Sequence, residues 1–269
     1  MQPKRIALGI EYNGHGFYGW QSQAGGNTVQ DALETALGEF AGADCPVTCA
    51  GRTDAGVHAY GQVVHLDAPV ARDMQSWVRG TNRYLDGRIR VVWAASVAED
   101  FHARFSAVSR TYNYVLLTDA MSPGLFAANM AWTHHPLNLA AMQQCAQMLL
   151  GTHDFSAFRA SQCQANSPVR TMQSLQITRR GKIIYAQFQA NAFLHHMIRN
   201  IMGSLVYVGA GREDAAWFSG LLDARDRRLA APTLAPDGLY LTHIEYPPSF
   251  GLDTLQHAAD DRQLFVPIL

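Results

Sequence analysis

Lysine is nearly missing from this 269-residue chain: Lys4 and Lys182 stand against 19 arginines. A skewed genomic composition is the bland reading and ranks first. The sharper one is that arginine offers a planar fork for phosphate or carboxylate. A charge surplus is missing too. With 21 basic and 22 acidic residues the formal net charge is −1, which excludes a globally basic nucleic-acid binder but leaves room for a local basic groove. Cysteine is sparse. Cys45, Cys49, Cys145 and Cys163 form no C-x-x-C pair and have no histidine at zinc-ligand spacing beside them, so reduced, cytosolic thiols are expected rather than a disulfide framework. Long apolar runs are absent. The stretch 6–10 is cut by Glu11, and the longer one, 198–210, contains Arg199. Neither suits a signal peptide or a membrane span, which needs about 18 apolar residues.

What is present is material for a core. Apolar residues make up 48% and charged residues 16%, too apolar a balance for a disordered chain. At about 150 residues per domain the length predicts one large or two ordinary domains.

Ile6, Leu8, Ile10 and Tyr12 alternate, as on a half-buried strand. Thr28 and Asp31 resemble a capping box with Asp in place of Glu or Gln, ahead of Val29, Leu33, Leu37 and Phe40 at helical spacing, with Gly42 as the stop. Strands at 47–50 and 62–67 flank a turn-rich segment. A helix from Met74 to Leu85, weakened by Gly80, and an extended run at 88–97 follow. Strand, helix, strand, strand, helix, strand is the split βαβ order of ferredoxin-like domains. The second half repeats it: a strand around Tyr112 and Tyr114, a helix at 139–150, a hairpin about Gly181 and Lys182, helices at 194–208 and 214–222, and a closing strand at 239–244. Two similar halves sharing a sheet are expected, with residues 1–108 as the N-terminal half, 109–247 as the C-terminal half and 248–269 as a tail.

Three clusters carry the chemistry. In residues 51–58, G-R-T-D-A-G-V-H, two glycines bracket Arg52 and Asp54. An aspartate at such a turn is most often a turn former. The catalytic reading is a carboxylate on a rigid turn, kept ionised by the neighbouring cation. Residues 193–200, F-L-H-H-M-I-R-N, put Arg199 in an otherwise apolar helix with His195 one turn before it. A charge there needs a carboxylate or phosphate partner. Residues 110–114 place Arg110, Tyr112 and Tyr114 on one strand face, either ordinary β packing or a surface that stacks and clamps bases.

In order along the chain, G-W-Q-S-Q at 19–23, V-Q at 29–30, G-R-T-D-A-G-V-H-A at 51–59, F-H-A-R-F-S-A at 101–107, R-x-Y at 110–112, H-D-F-S-A-F-R at 153–159, F-L-H-H-M-I-R-N at 193–200 and G-L-Y-L at 238–241 together resemble the TruA family of tRNA pseudouridine synthases. The resemblance spans residues 4–247. It implies an α+β pseudouridine synthase fold, an α/β sandwich of two ferredoxin-like halves sharing a largely antiparallel sheet with helices packed on it. It implies isomerisation of uridine to pseudouridine at positions 38, 39 and 40 of the tRNA anticodon stem-loop, with no cofactor or metal, by a cytoplasmic homodimer. By the same resemblance Asp54 is the catalytic aspartate and Arg199 the arginine that pairs with it. Tyr112 stacks on the target uracil, and Arg52 grips the flipped nucleotide or its phosphate. Arg110 joins the substrate contacts. Position 111 is Thr where relatives often carry a basic residue.

Two rival readings use the same residues. A catalytically silent RNA-binding module would keep Arg110 and Tyr112 but leave Asp54 and Arg199 without a use. A metal-dependent hydrolase would gather Asp54, His58 and His65 or Asp67.

Overall fold

The alternation of Ile6, Leu8, Ile10 and Tyr12 is realised in β1 (Lys4–Tyr12), where all four are buried. In the computed structural model, which describes residues 4–260, β1 is followed by α1 (Val29–Ala41), β2 (Thr48–Cys49), β3 (His58–Ala68), α2 (Met74–Tyr84) and β4 (Ile89–Ser96). β1 pairs antiparallel with β3 on one side and β4 on the other, and β2 pairs antiparallel with β3. The order β4-β1-β3-β2 is that of a split βαβ unit.

The helix signals hold in detail. The Thr28 hydroxyl accepts from the Asp31 N–H at 3.2 Å and donates to the Asp31 carboxylate at 2.6 Å, so the box closes side chain to side chain. Gly42 closes α1 in the left-handed region at φ 72°. Gly80 is a packing residue: a Cβ there would lie 2.0 Å from the Phe40 ring, which itself meets Trp77 edge-on at 5.2 Å.

The second unit begins at Thr111, within β5 (Ser109–Thr118). It continues through β6 (Ala131–Thr133), α3 (Leu139–Gln147), β7 (Gly151–Asp154), β8 (Val169–Arg180), β9 (Ile183–Ala190), α4 (Met197–Gly209) and α5 (Ala215–Ala224). The strands run β5-β9-β8-β7, with β7–β8 and β8–β9 antiparallel and β6 parallel to β5. The first unit resumes at Tyr240 with β10 (Leu239–Glu245), parallel to β3 through Tyr240 and His58, and α6 (Asp253–Asp260). The architecture is α+β, with largely antiparallel strands and helices packed on them.

The closing strand, expected in the second half, belongs from Tyr240 on to the first unit, and three further features differ from the sequence reading. β6 and β7, of three and four residues, carry too little periodicity to register. α4 starts at Met197 rather than Leu194, because His196 takes the left-handed conformation at φ 61°. The tail contains α6, whose Gln256 is buried along with Leu252 just before the helix; its residues 261–269 lie outside the described residues. Among the described residues no helix is long and apolar enough to cross a membrane.

Candidate active site

Asp54 stands on a loop that β1, β3 and the segment between β1 and α1 hold at several points. The Thr53 carbonyl accepts from the Trp20 N–H at 3.0 Å, and the Thr53 hydroxyl shares a 2.7 Å hydrogen bond with the Tyr12 hydroxyl. The buried Gln62 donates Nε2 to the Gly51 carbonyl at 2.6 Å. The Gly14 N–H donates to His58 Nδ1 at 3.0 Å. Gly14 has to be glycine, since a Cβ would fall 2.0 Å from the Val57 carbonyl oxygen. The loop itself closes with the Val57 N–H on the Asp54 carbonyl at 3.1 Å. Thr53 is buried, Asp54 half-buried and Arg52 exposed. The result is a half-buried carboxylate and an exposed cation carried on a preorganised backbone.

Arg110 has a different place from the one expected. It is 9% exposed, and its guanidinium donates to the carbonyls of Arg104 at 2.6 Å, Ala50 at 3.1 Å and Ala107 at 3.2 Å. Carbonyls that lie inside a turn-rich segment need donors, and a guanidinium supplies several from one centre. Arg110 thus holds backbone, tying the strand that leads into the Asp54 loop to residues 104–107.

The metal-hydrolase set does not assemble. His58 and His65 lie seven residues apart on β3, about 23 Å at the usual rise. His65 Nδ1 accepts from the Ala103 N–H at 3.1 Å, and Asp67 is paired with Arg5 at 2.8 Å.

In the second unit Tyr112 is 7% exposed, with its ring edge-on to Phe193 at 5.1 Å. Tyr114, two positions on, is fully buried, and its hydroxyl donates to the Ala235 carbonyl at 2.6 Å. Burial drives that phenol's pKa far up. Of the three residues expected on a base-clamping face, Arg110 and Tyr114 thus spend their polar groups on backbone carbonyls. Arg199 sits on the first turn of α4, half-buried, with Nε donating to the Leu234 carbonyl at 2.8 Å. His195 and His196 precede the helix instead of lying on it, and their rings approach to 4.0 Å. A left-handed non-glycine residue such as His196 is strained, and strain of this kind gathers at functional sites. The buried Asn200 anchors the turn, donating to the Phe158 carbonyl at 2.8 Å and accepting from Thr233 at 2.6 Å and Arg227 at 3.0 Å.

A family model described as tRNA pseudouridine synthase matches residues 9–106 and 145–247, the stretches that carry Arg52, Asp54 and Arg199. The chain belongs to the tRNA pseudouridine synthase family. It is 57% identical over 248 residues to tRNA pseudouridine synthase A of Dechloromonas aromatica, covering 92% of this chain and 95% of that one. To the protein of the same name from Bordetella avium it is 56% identical over 253 residues, covering 93% and 95%. A solved Cbf5–Nop10–Gar1 complex aligns at a TM-score of 0.43 and 9% identity over 88% of this chain and 48% of that chain, a likeness too slight to carry an argument.

As a tRNA pseudouridine synthase the chain is an isomerase that converts uridine to pseudouridine in tRNA. The contacts that hold the Asp54 loop fix where its carboxylate stands. Gln62 and Gly14 look like ordinary strand and turn composition, and the loop-holding contacts of Tyr12 and Trp20, though both lie in stretches the sequence singles out, join positions too far apart for a sequence reading to connect.

Proposed function

We propose that this enzyme isomerises uridines 38, 39 and 40 of the anticodon stem-loop, with Asp54, Arg52, Tyr112 and Arg199 as the residues that carry the reaction. The supporting observation is the Asp54 loop: it is fixed by Tyr12, Gly14, Trp20 and Gln62 while its carboxylate stays half-exposed. The N1–C1′ bond must break, the uracil must turn, and a C5–C1′ bond must form. Cleavage develops positive charge on the sugar, which an ionised carboxylate stabilises. Both routes open to Asp54, attack on the sugar and removal of a ribose proton, start from that ionised form. The target base has to leave its stack, at a cost of a few kcal/mol. Arg52 offsets this by gripping the flipped nucleotide or its phosphate. Tyr112 stacks on the uracil and takes the C5 proton. Arg199 is the cation assigned to the carboxylate's chemistry by the family resemblance, which also supports a cytoplasmic homodimer working without cofactor or metal.

The test is tritium release from unmodified tRNA labelled at uridine C5, for the wild type and Asp54→Asn. The expected outcome is release by the wild type, undiminished by chelator, and none by the variant, which still folds and binds tRNA. Mapping the product should place pseudouridine at 38–40. Turnover by Asp54→Asn would remove Asp54 from catalysis, and tRNA binding without release by either protein would favour the silent RNA-binding module.

A further inference from the structure

Residues 101–108 form a loop with no regular structure and a dense set of ties. The His102 N–H donates to Ser106 Oγ at 3.0 Å and the Ser106 N–H returns to the His102 carbonyl at 2.8 Å. His102 Nδ1 accepts from the N–H groups of both Arg104 and Phe105 at 3.2 Å. Ala103 is held on both sides, its N–H by His65 and its carbonyl by the Tyr246 hydroxyl at 2.7 Å. Arg110 takes the carbonyls of Arg104 and Ala107. Phe101 points inward, against Tyr246 and Phe250 at 5.1 Å each.

Phe105 points outward. Its ring is 76% exposed at the crest of this fixed loop. The His102 imidazole backs it at 4.3 Å with an interplanar angle of 31°, and the Arg104 guanidinium lies 5.5 Å from its centroid. An apolar ring held rigidly in water forgoes the burial that the core gives the other phenylalanines, and the ties of the loop do not depend on its side chain. Exposed aromatics beside arginine are how proteins stack unpaired bases.

The loop is also attached to the chemistry. One guanidinium nitrogen of Arg110 bridges the Arg104 carbonyl and the carbonyl of Ala50, four residues before Asp54. The buried Cys49 thiol lies within electrostatic reach of both Arg52 and Arg104.

We propose that Phe105, backed by His102 and flanked by Arg104, is a stacking platform for an unpaired base of the RNA substrate beside the target uridine. This inference rests on the enzyme's action on tRNA and adds a binding residue to it. Stacking needs no base-specific hydrogen bonds, so the platform tolerates any base.

The experiment measures binding of an unmodified anticodon stem-loop RNA, with tritium release for kcat and KM, in the wild type and in Phe105→Ala, Phe105→Leu and Phe105→Trp. The alanine and leucine variants should raise Kd and KM between five- and a hundredfold, with kcat within about threefold. The tryptophan variant should bind within threefold of wild type. A 2-aminopurine placed in the loop should be quenched on binding wild type and less on binding Phe105→Ala. Arg104→Ala should lower the slope of log Kd against log salt by about one, and Phe105→Ala should leave it unchanged. Unchanged binding by Phe105→Ala, or leucine serving as well as phenylalanine, overturns the platform. So does sedimentation showing that Phe105→Ala alters only self-association. If the wild type itself releases no tritium, the failure lies in the proposed reaction and not in Phe105.

Discussion

Arg110 donates to the carbonyl of Ala50 across 3.1 Å and 60 residues of sequence. The same side chain holds Arg104 and Ala107, so two loops that carry arginines share one buried clamp. An arginine that contacts phosphate and one that clamps backbone give different signatures. Arg110→Lys leaves carbonyls without donors, and buried unsatisfied groups cost about 1–3 kcal/mol each. Urea unfolding should show a loss on the order of 3 kcal/mol, while the salt slope of tRNA binding stays as in wild type. A slope reduced by one with stability unchanged would return Arg110 to the phosphate contacts.

Gly14 tests how far the reaction depends on backbone placement. A methyl group there must push the Val57 carbonyl back from 2.0 Å to beyond 3 Å, moving the end of the loop that starts at Gly51. Displacements of about 1 Å can cost a hundredfold in rate. Gly14→Ala should lower kcat by about tenfold or more with Kd for tRNA little changed. Equal kcat in variant and wild type would show that the loop absorbs the shift without moving Asp54.

Much of this molecule was legible in the sequence because its signals are local. Thr28, Asp31 and Gly42 mark the ends of α1, and the period of Ile6 to Tyr12 marks β1. The G-R-T-D-A-G-V-H segment announces itself through glycines around charged residues. What stayed hidden depends on distance. Nothing in the sequence separates Arg110, buried under three carbonyls, from an exposed strand arginine. The helical pattern before Met197 continues past the point where His196 turns left-handed, so periodicity alone runs α4 too far. Phe105 reads as one more core phenylalanine until its neighbours are placed.

The thiols should separate cleanly by reactivity. Cys45, Cys49 and Cys145 are buried. Burial raises all three, Cys49 to about 12, and the nearby carboxylates Asp44 and Asp214 add to this at Cys45 and Cys145. Cys163 is half-buried, which by itself would raise it. The N–H groups of Ala165 and His195 and the Arg159 guanidinium outweigh that and hold it below its ordinary value. A thiolate that is accessible reacts first. Titration of the native protein with a thiol-exchange reagent at pH 7.5 should show a single fast equivalent, absent in Cys163→Ser. Two fast equivalents, or a fast phase surviving in that variant, would contradict this ordering.

His65 makes stability depend on pH in a window where carboxylates contribute little. Burial, then the neighbouring His102 and Arg5, lowers its pKa from the usual 6.5 to about 4, against a smaller raising effect from Asp67. Its neutral Nδ1 is the acceptor that fixes Ala103. Above pH 6.5 both the folded and unfolded histidine are neutral, and its contribution is complete. As pH falls from 6.5 toward 4, the unfolded chain binds a proton that the native state refuses, so stability declines with falling pH. His102, lowered by burial and by Arg5 and Arg104, adds a contribution of the same sign. Unfolding free energies measured at pH 7, 6 and 5 should therefore decrease in order. His65→Asn should be less stable at pH 7, for want of a well-placed acceptor, and should show a shallower slope, the remainder belonging to His102 and to His135, which desolvation, His134 and Arg212 lower in the same direction. An unaltered slope in that variant would mean that His65 is protonated as easily in the native protein as in the unfolded chain.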